Sequence, residues 1–204
     1  RAVNVAGPSD WSESLQVIPC AVASPPMVFT AVASNASVTL EWQDPENNNG
    51  SPVASYKIKV IDATSEEQQG DIIPIGSTAR THIQNGLSNG SEYVFEICAV
   101  NDAGDSEWIK SIPVMPCTTP SPPLNLQCEA KDATVTLQWE EPEDNGGSDI
   151  IKYEIQQDDN ELFPCNALKR DVPGLLNGTT YTFKVRAVNA AGESDWVQAM
   201  VVPF

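Results

Sequence analysis

The chain has 204 residues, room for one large domain or two of about 100. With 11 Lys+Arg against 28 Asp+Glu its formal net charge is −17, which argues against binding nucleic acid by phosphate neutralisation and against docking on anionic lipid. Hydrophobic residues make up 41% of the chain, enough for a packed core, no run approaches the ~20 apolar residues of a membrane span, and a single histidine, His82, leaves little material for His-dependent chemistry.

Taken in chain order, the landmarks repeat. Residues 2–11 read AVNVAGPSDW, residues 99–108 AVNDAGDSEW and residues 187–196 AVNAAGESDW, the last two sharing seven of ten positions. Trp11 to Trp108, Cys20 to Cys117, Trp42 to Trp139 and Tyr56 to Tyr153 are each 97 residues apart. Tyr93 to Tyr181 and Trp108 to Trp196 are 88 apart, so the second copy lacks nine residues between Tyr153 and Tyr181. The loss is expected around Asp158–Leu168, with the longer excursion of the first copy at Ala63–Gly76. A repeat of this length is a domain, not a small solenoid unit.

Within each copy the apolar positions alternate. Val38, Leu40 and Trp42 share one face, as do Val135, Leu137 and Trp139. The stretches from Tyr56, Tyr93, Tyr153 and Tyr181 alternate in the same way, as half-buried antiparallel strands do. Pro and Asn-Gly clusters separate the runs, at 44–52, 89–90, 141–147 and 177–178. No stretch has a convincing helical period. Seven short strands per copy predict an all-β fold of two sandwiches.

These residues resemble the fibronectin type III family. The resemblance is carried by Ser-Pro-Pro at 24–26 and 121–123, Val-Thr-Leu-x-Trp at 38–42 and 135–139, and Tyr-x-Ile at 56–58 and 153–155. It continues through Leu87–Tyr93 and Leu175–Tyr181, and the Ala-Val-Asn-x-Ala-Gly-x-Ser closing hairpins. It implies tandem immunoglobulin-like β-sandwiches over residues 20–117 and 118–204. Residues 1–19 then match the closing F–G hairpin of a preceding domain, with Trp11–Pro19 as its last strand. Tyr93 and Tyr181 fit a tyrosine corner, in which a buried ring keeps its hydroxyl bonded to nearby backbone. Phe204 falls one residue short of the position of Cys20 and Cys117, counted from the tryptophans, so the sequence reads as a window on a longer array. Short Pro-rich linkers, Ala23–Pro26 and Thr118–Pro123, imply a semi-stiff rod.

The side chains able to do chemistry are few. None of Cys20, Cys98, Cys117, Cys128 and Cys165 form a Cys-x-x-Cys pair, so neither zinc nor redox chemistry is indicated. Cys98 alternates away from the inner face and is expected to be exposed, whereas Cys128 reads as a small buried hydrophobe. Strand direction in this topology puts Cys165 in the connection after the fourth strand, at the same end as Cys117. The candidate disulfides are Cys117–Cys165 and Cys20–Cys98, which would leave Cys128 free. Asn35, Asn49, Asn89 and Asn177 head glycosylation sequons in predicted turns, although Asn-Gly is also ordinary turn chemistry. Among the acidic clusters, including Asp158/Asp159, Glu141, Asp144, Glu193 and Asp195 come from two loops at one end of the second copy and could approach each other. They match no calcium-loop spacing.

No catalytic motif, cofactor-binding residue or metal-ligand set is present, and no enzyme activity or cofactor is expected. The expected role is a structural or adhesive segment of a long extracellular or cell-surface protein, acting as a rod, spacer or fibre-forming module. Its expected partners are other protein modules, copies of the same array, with no nucleic acid and no membrane insertion by this segment. Three alternatives stand at this point: a receptor ectodomain binding a protein ligand, a non-catalytic spacer in a secreted enzyme, and an intracellular muscle-type array, whose modules the loop Glu141–Ser148 resembles.

Overall fold

Strands with one apolar face can bury it only against a second sheet, and the chain does this twice. The computed structural model describes residues 1–13, 19–158, 160 and 162–204, and among these there is no helix. A two-stranded hairpin comes first, β1 (Val3–Asn4) with β2 (Gly7–Pro8). The first sandwich contains β3 (Met27–Ser34), β4 (Ser37–Gln43), β5 (Ser55–Asp62), β6 (Gln68–Gly76), β7 (Thr81–Asn85), β8 (Tyr93–Asn101), β9 (Gly104–Asp105) and β10 (Ile109–Lys110). The second contains β11 (Leu124–Lys131), β12 (Thr134–Glu140), β13 (Lys152–Gln157), β14 (Leu162–Cys165), β15 (Lys169–Pro173), β16 (Tyr181–Asn189), β17 (Gly192–Glu193) and β18 (Val197–Val201).

Each sandwich packs a three-stranded antiparallel sheet on a larger one. The sheet β3–β4–β7 faces β10–β8–β5–β6, with β9 on β8, and β11–β12–β15 faces β14–β13–β16, with β17 and β18 on β16. The cores follow the predicted alternation. Val38, Leu40 and Trp42 of β4 meet Tyr56 and Ile58 of β5 and Phe95 and Ile97 of β8. Val135, Leu137, Trp139, Tyr153, Ile155, Phe183 and Val185 form the second core. In both, the tryptophan packs edge-on against the tyrosine, with ring centroids 5.6 and 5.5 Å apart. Both tyrosine corners form: the hydroxyls of Tyr93 and Tyr181 accept from the Ser88 and Leu176 N–H groups at 3.1 and 3.0 Å.

The length difference lies where the spacing places it. β6 has nine residues and β14 four, and both are followed by equivalent strands, β7 and β15. The hairpin of residues 1–10 reproduces the two later ones. Ser9, Ser106 and Ser194 each accept, through Oγ, the N–H of an alanine seven residues earlier. The expected strand over Trp11–Pro19 is not formed at 11–13, and residues 14–18 lie outside the described residues.

Two further points depart from the sequence reading. Counting from Trp196 places Phe204 before the position of Cys117, yet Gly178 N–H donates to Pro203 O as Gly90 N–H donates to Pro116 O, both at 2.9 Å. Phe204 therefore stands in the place of Cys117. The final strand of the first sandwich simply carries one extra residue. The second point is a bulge shared by β3 and β11, at which Val28 and Asn125 take left-handed φ values of 52° and 53°. Asparagine tolerates that region and a β-branched residue does not. Val28 is largely exposed, so it packs little in return. Val28→Asn is expected to raise the stability of the first sandwich by about 1 kcal/mol, read from its chemical-denaturation midpoint.

Candidate functional site

Among the described residues no group of three or more His, Cys, Asp or Glu side chains converges as a metal site. Asp144 accepts from the Gly146 N–H within its own loop, and Glu193 lies 3.7 Å from Arg186. Asp159 lies outside the described residues. The most elaborate polar construction is the joint between the sandwiches.

The joint begins with the last residue of each Ala-Val-Asn motif. Asn189, almost fully buried, donates through Nδ2 to the carbonyls of Thr118 and Asn145, both at 2.7 Å. Its Oδ1 accepts from Ala191 N–H at 2.8 Å, which fixes the amide orientation. Asn101 makes the same set, to Ala21 O at 2.8 Å, Asn48 O at 3.1 Å and Ala103 N–H at 3.0 Å. Each asparagine thus ties the segment entering its module to the loop between the second and third strands of that module. Backbone bonds repeat the tie, from Ala21 N–H to Asn49 O and from Thr118 N–H to Gly146 O.

On the other side of the joint, Gly90 N–H anchors Pro116 O. Only Cys117 lies between that anchor on the first sandwich and Thr118, anchored on the second. The residues expected to form a linker, Thr118–Pro123, are instead folded onto the second module, where Ser121 N–H also donates to Asp144 O at 2.8 Å. The β12–β13 loop then meets the β7–β8 turn backbone to backbone. A Cβ on Gly147 would lie 2.6 Å from the carbonyl carbon of Asn89 and closer still to Gly90 N. A Cβ on Gly90 would lie 3.1 Å from Gly147 Cα, and both residues have φ of +81°. Space and conformation together require glycine at both positions. An open cleft beside this contact is lined by residues of both modules, among them Met115, Asn145, Ser148 and Ile151.

The outer faces of the large sheets carry a charge exchange between modules. In the second, Arg186 of β16 stacks on Trp196 at 4.6 Å and bonds Glu154 of β13 at 2.6 Å. The hydrogen bond from Lys152, and then that from Arg186, outweigh burial and hold the Glu154 carboxyl below its usual range. In the first module Cys98 replaces that arginine, and the cation comes from the neighbouring strand. Lys59 of β5 lies 3.8 Å from the Trp108 ring and 3.2 Å from Glu96 of β8. Burial raises the Glu96 carboxyl, and Lys110 and Lys59 together outweigh it and keep the group below its usual range.

This exchange covers Cys98, which is fully buried and not exposed as the alternation suggested. It does point away from the core, but its cross-strand neighbour Lys57 bridges to Asp105 at 2.7 Å, and these side chains roof that face together with Lys59 and Trp108. Cys165 ends β14 and faces the core, with Sγ donating to Ala167 O at 3.3 Å. The structure joins neither Cys117 to Cys165 nor Cys20 to Cys98. No two of the five cysteines are paired in the structure; Cys20 is exposed and Cys117 and Cys128 are half-buried. Burial pushes the Cys98 and Cys128 thiols up to about 11. In native protein at pH 8, exposed Cys20 is expected to alkylate much faster than Cys98, as read by mass spectrometry, because burial both shields the Cys98 sulfur and disfavours its reactive thiolate.

The sequon asparagines serve the turns. Asn89 accepts from Ala36 N–H and donates to Asn35 Oδ1 at 2.9 Å, while Asn177 accepts from Ala133 N–H and donates to Asp132 at 2.8 Å. Asn49 Nδ2 donates to Val22 O at 2.7 Å. Asn189 at the joint, and Asn101 as its counterpart at the entry to the first module, were not among the functional residues expected from the sequence. Their recurrence at the same place in every closing hairpin was the available signal.

Comparison with known proteins agrees with this architecture. The mouse fibronectin type-III domain-containing protein 3A is 28% identical over 94% of the chain, which spans 17% of that protein. Human receptor-type tyrosine-protein phosphatase F is 32% identical over 87% of the chain, spanning 10% of the phosphatase, and Drosophila titin is 28% identical over 83%, spanning 1%. A two fibronectin type-III domain segment from chicken tenascin covers 88% of the chain at 15% identity and a TM-score of 0.46, with 99% of that segment covered. The chain is thus a small part of the length of these curated relatives. The family description of the fibronectin type III domain matches residues 24–115 and 121–202, and the chain belongs to that family.

Proposed function

We propose that the chain is a non-catalytic rod segment of a longer multi-domain protein, which holds neighbouring modules at a set distance and angle. Its partners on this reading are other modules of its own kind, and its setting is the cell surface or the extracellular space. The observation that carries the rod reading is the joint. A single residue separates two backbone anchors, and two glycines touch where no side chain fits. Such a joint leaves little freedom for one sandwich to swing on the other, whereas domains sharing only a flexible linker move by default.

A second setting, an intracellular array, is favoured by one observation: Cys98 and Cys165 are buried singly, with no partner cysteine. Mass measurement of the native parent protein with and without reduction distinguishes the two settings. Gly147→Val tests the rod itself by small-angle scattering. The parent chain is expected to give one narrow distribution of elongated shapes and the variant a broadened one, with each sandwich still folded. A parent chain as broadly distributed as the variant would overturn the reading.

A further inference from the structure

The far end of the second sandwich carries the same turn that the second sandwich itself covers on the first. Gly178 stands where Gly90 stands, 88 residues on, with φ of +77° against +81°. Each donates its N–H to a proline carbonyl at 2.9 Å, Pro203 and Pro116. Each follows an asparagine that clamps the turn between the first two strands of its module. The surroundings differ in one respect. Gly90 has the backbone of Gly147 against it, while nothing lies within 4 Å of a Cβ built on Gly178.

The face around Gly178 is also more apolar than its counterpart. Leu176, 70% exposed, stands in the place of Ser88. Val202 stands in the place of Met115, the apolar residue that lines the cleft at the occupied joint, and is 44% exposed. Met200 on β18, and Val202 and Phe204 just beyond its end, are all exposed. Contiguous exposed apolar surface of this kind marks an interaction face.

We infer that the turn Leu176–Gly178, with Val202 beside it, is a docking face for another fibronectin type III module, presented by its second-to-third-strand loop with glycine in the position of Gly147. The occupant is identified by the joint already in the chain. There the equivalent turn receives Gly147, with Ser148 and Ile151 lining the cleft opposite Met115. At the occupied joint the glycine turn receives a backbone that brings no side chain to the contact, the β12–β13 loop at Gly147. Gly50, at φ +87°, keeps the same feature in the loop of the first module. This inference rests on the rod reading and extends it to a second joint.

The test uses the full chain extended after Phe204 by a further copy of residues 118–204. Phe204 then fills the place of Cys117, so the added module enters in register. Nitrogen-15 relaxation reports the rotational diffusion of each module. All three are expected to share one diffusion tensor, and the Gly178 and Val202 amides to gain protection from hydrogen exchange relative to the unextended chain. Val202→Asp, at an exposed position, is expected to release the added module alone, as is Gly147→Val made only in the added copy. An added module that is folded by its amide dispersion, yet tumbles freely while the first two remain coupled, overturns this inference and leaves the rod reading standing. Independent tumbling of the first two modules overturns the rod reading itself.

Discussion

Trp139→Ala is expected to lower the stability of the second sandwich by about 3–5 kcal/mol, the usual cost of truncating a buried tryptophan. Trp139 is almost fully buried, sits among Leu137, Tyr153 and Val185, and packs edge-on against Tyr153. Truncation removes its apolar burial and leaves a cavity that rigid strands on both sides cannot close. The indole N–H makes no hydrogen bond, so the loss is one of packing and not of a polar contact. Marginal domains have about 5–15 kcal/mol in total, so the loss is a large fraction of the whole. Differential scanning calorimetry should show the second sandwich melting earlier and the first near its original temperature, since the two cores are separate clusters. Trp42→Ala should reverse the assignment. Equal destabilisation of both sandwiches by either change would show a shared core, which contradicts the fold described.

The second large effect is expected at Asn189. Asn189→Ala removes the donor shared by two carbonyls, Thr118 O and Asn145 O, at a buried site. Leaving a buried polar group unsatisfied costs about 1–3 kcal/mol, so the pair should cost up to roughly 2–6 kcal/mol, less whatever water recovers. The effect should not be confined to stability. Thr118 is the first anchor beyond Cys117, and its release frees the segment that sets the angle between modules. Hydrogen exchange should therefore accelerate at Thr118 and Ser121, whose N–H groups donate to Gly146 O and Asp144 O, more than in the strands. Asn177→Ala is a useful comparison, because its amide clamps an exposed turn and does not touch the joint. It should leave exchange at Thr118 unchanged.

Much of the fold was legible in the sequence because its determinants are local or periodic. The Val-Thr-Leu-x-Trp strands declare their inner faces by alternation, and the tyrosine corners lie within five residues of their partners. The nine-residue difference fell between β13 and β15 because spacing on both sides stayed in register. The joint was not legible. The recurring asparagine marks Asn189, but its partner Thr118 lies 71 residues away and Gly147 meets Gly90 across a module boundary, so the contacts themselves cannot be read from the motif. Thr118–Pro123 reads as a proline-rich linker by composition and is instead part of a folded module. Cys98 was misjudged for a related reason. Alternation tells which side of a sheet a residue faces, and not whether long side chains from the next strand cover that side. Here a lysine of β5 replaces the arginine of the strand itself, an exchange visible only once β5 and β8 are paired.

On the rod reading the joint holds the two sandwiches as one body. Residual dipolar couplings from backbone amides of residues 24–115 and 121–202, measured in one weakly aligned sample, test it most directly. The account predicts that a single alignment tensor fits both sets with equal magnitude and common axes, and that Gly147→Val splits it into two tensors of unequal magnitude. Two different magnitudes in the unmodified chain would contradict it.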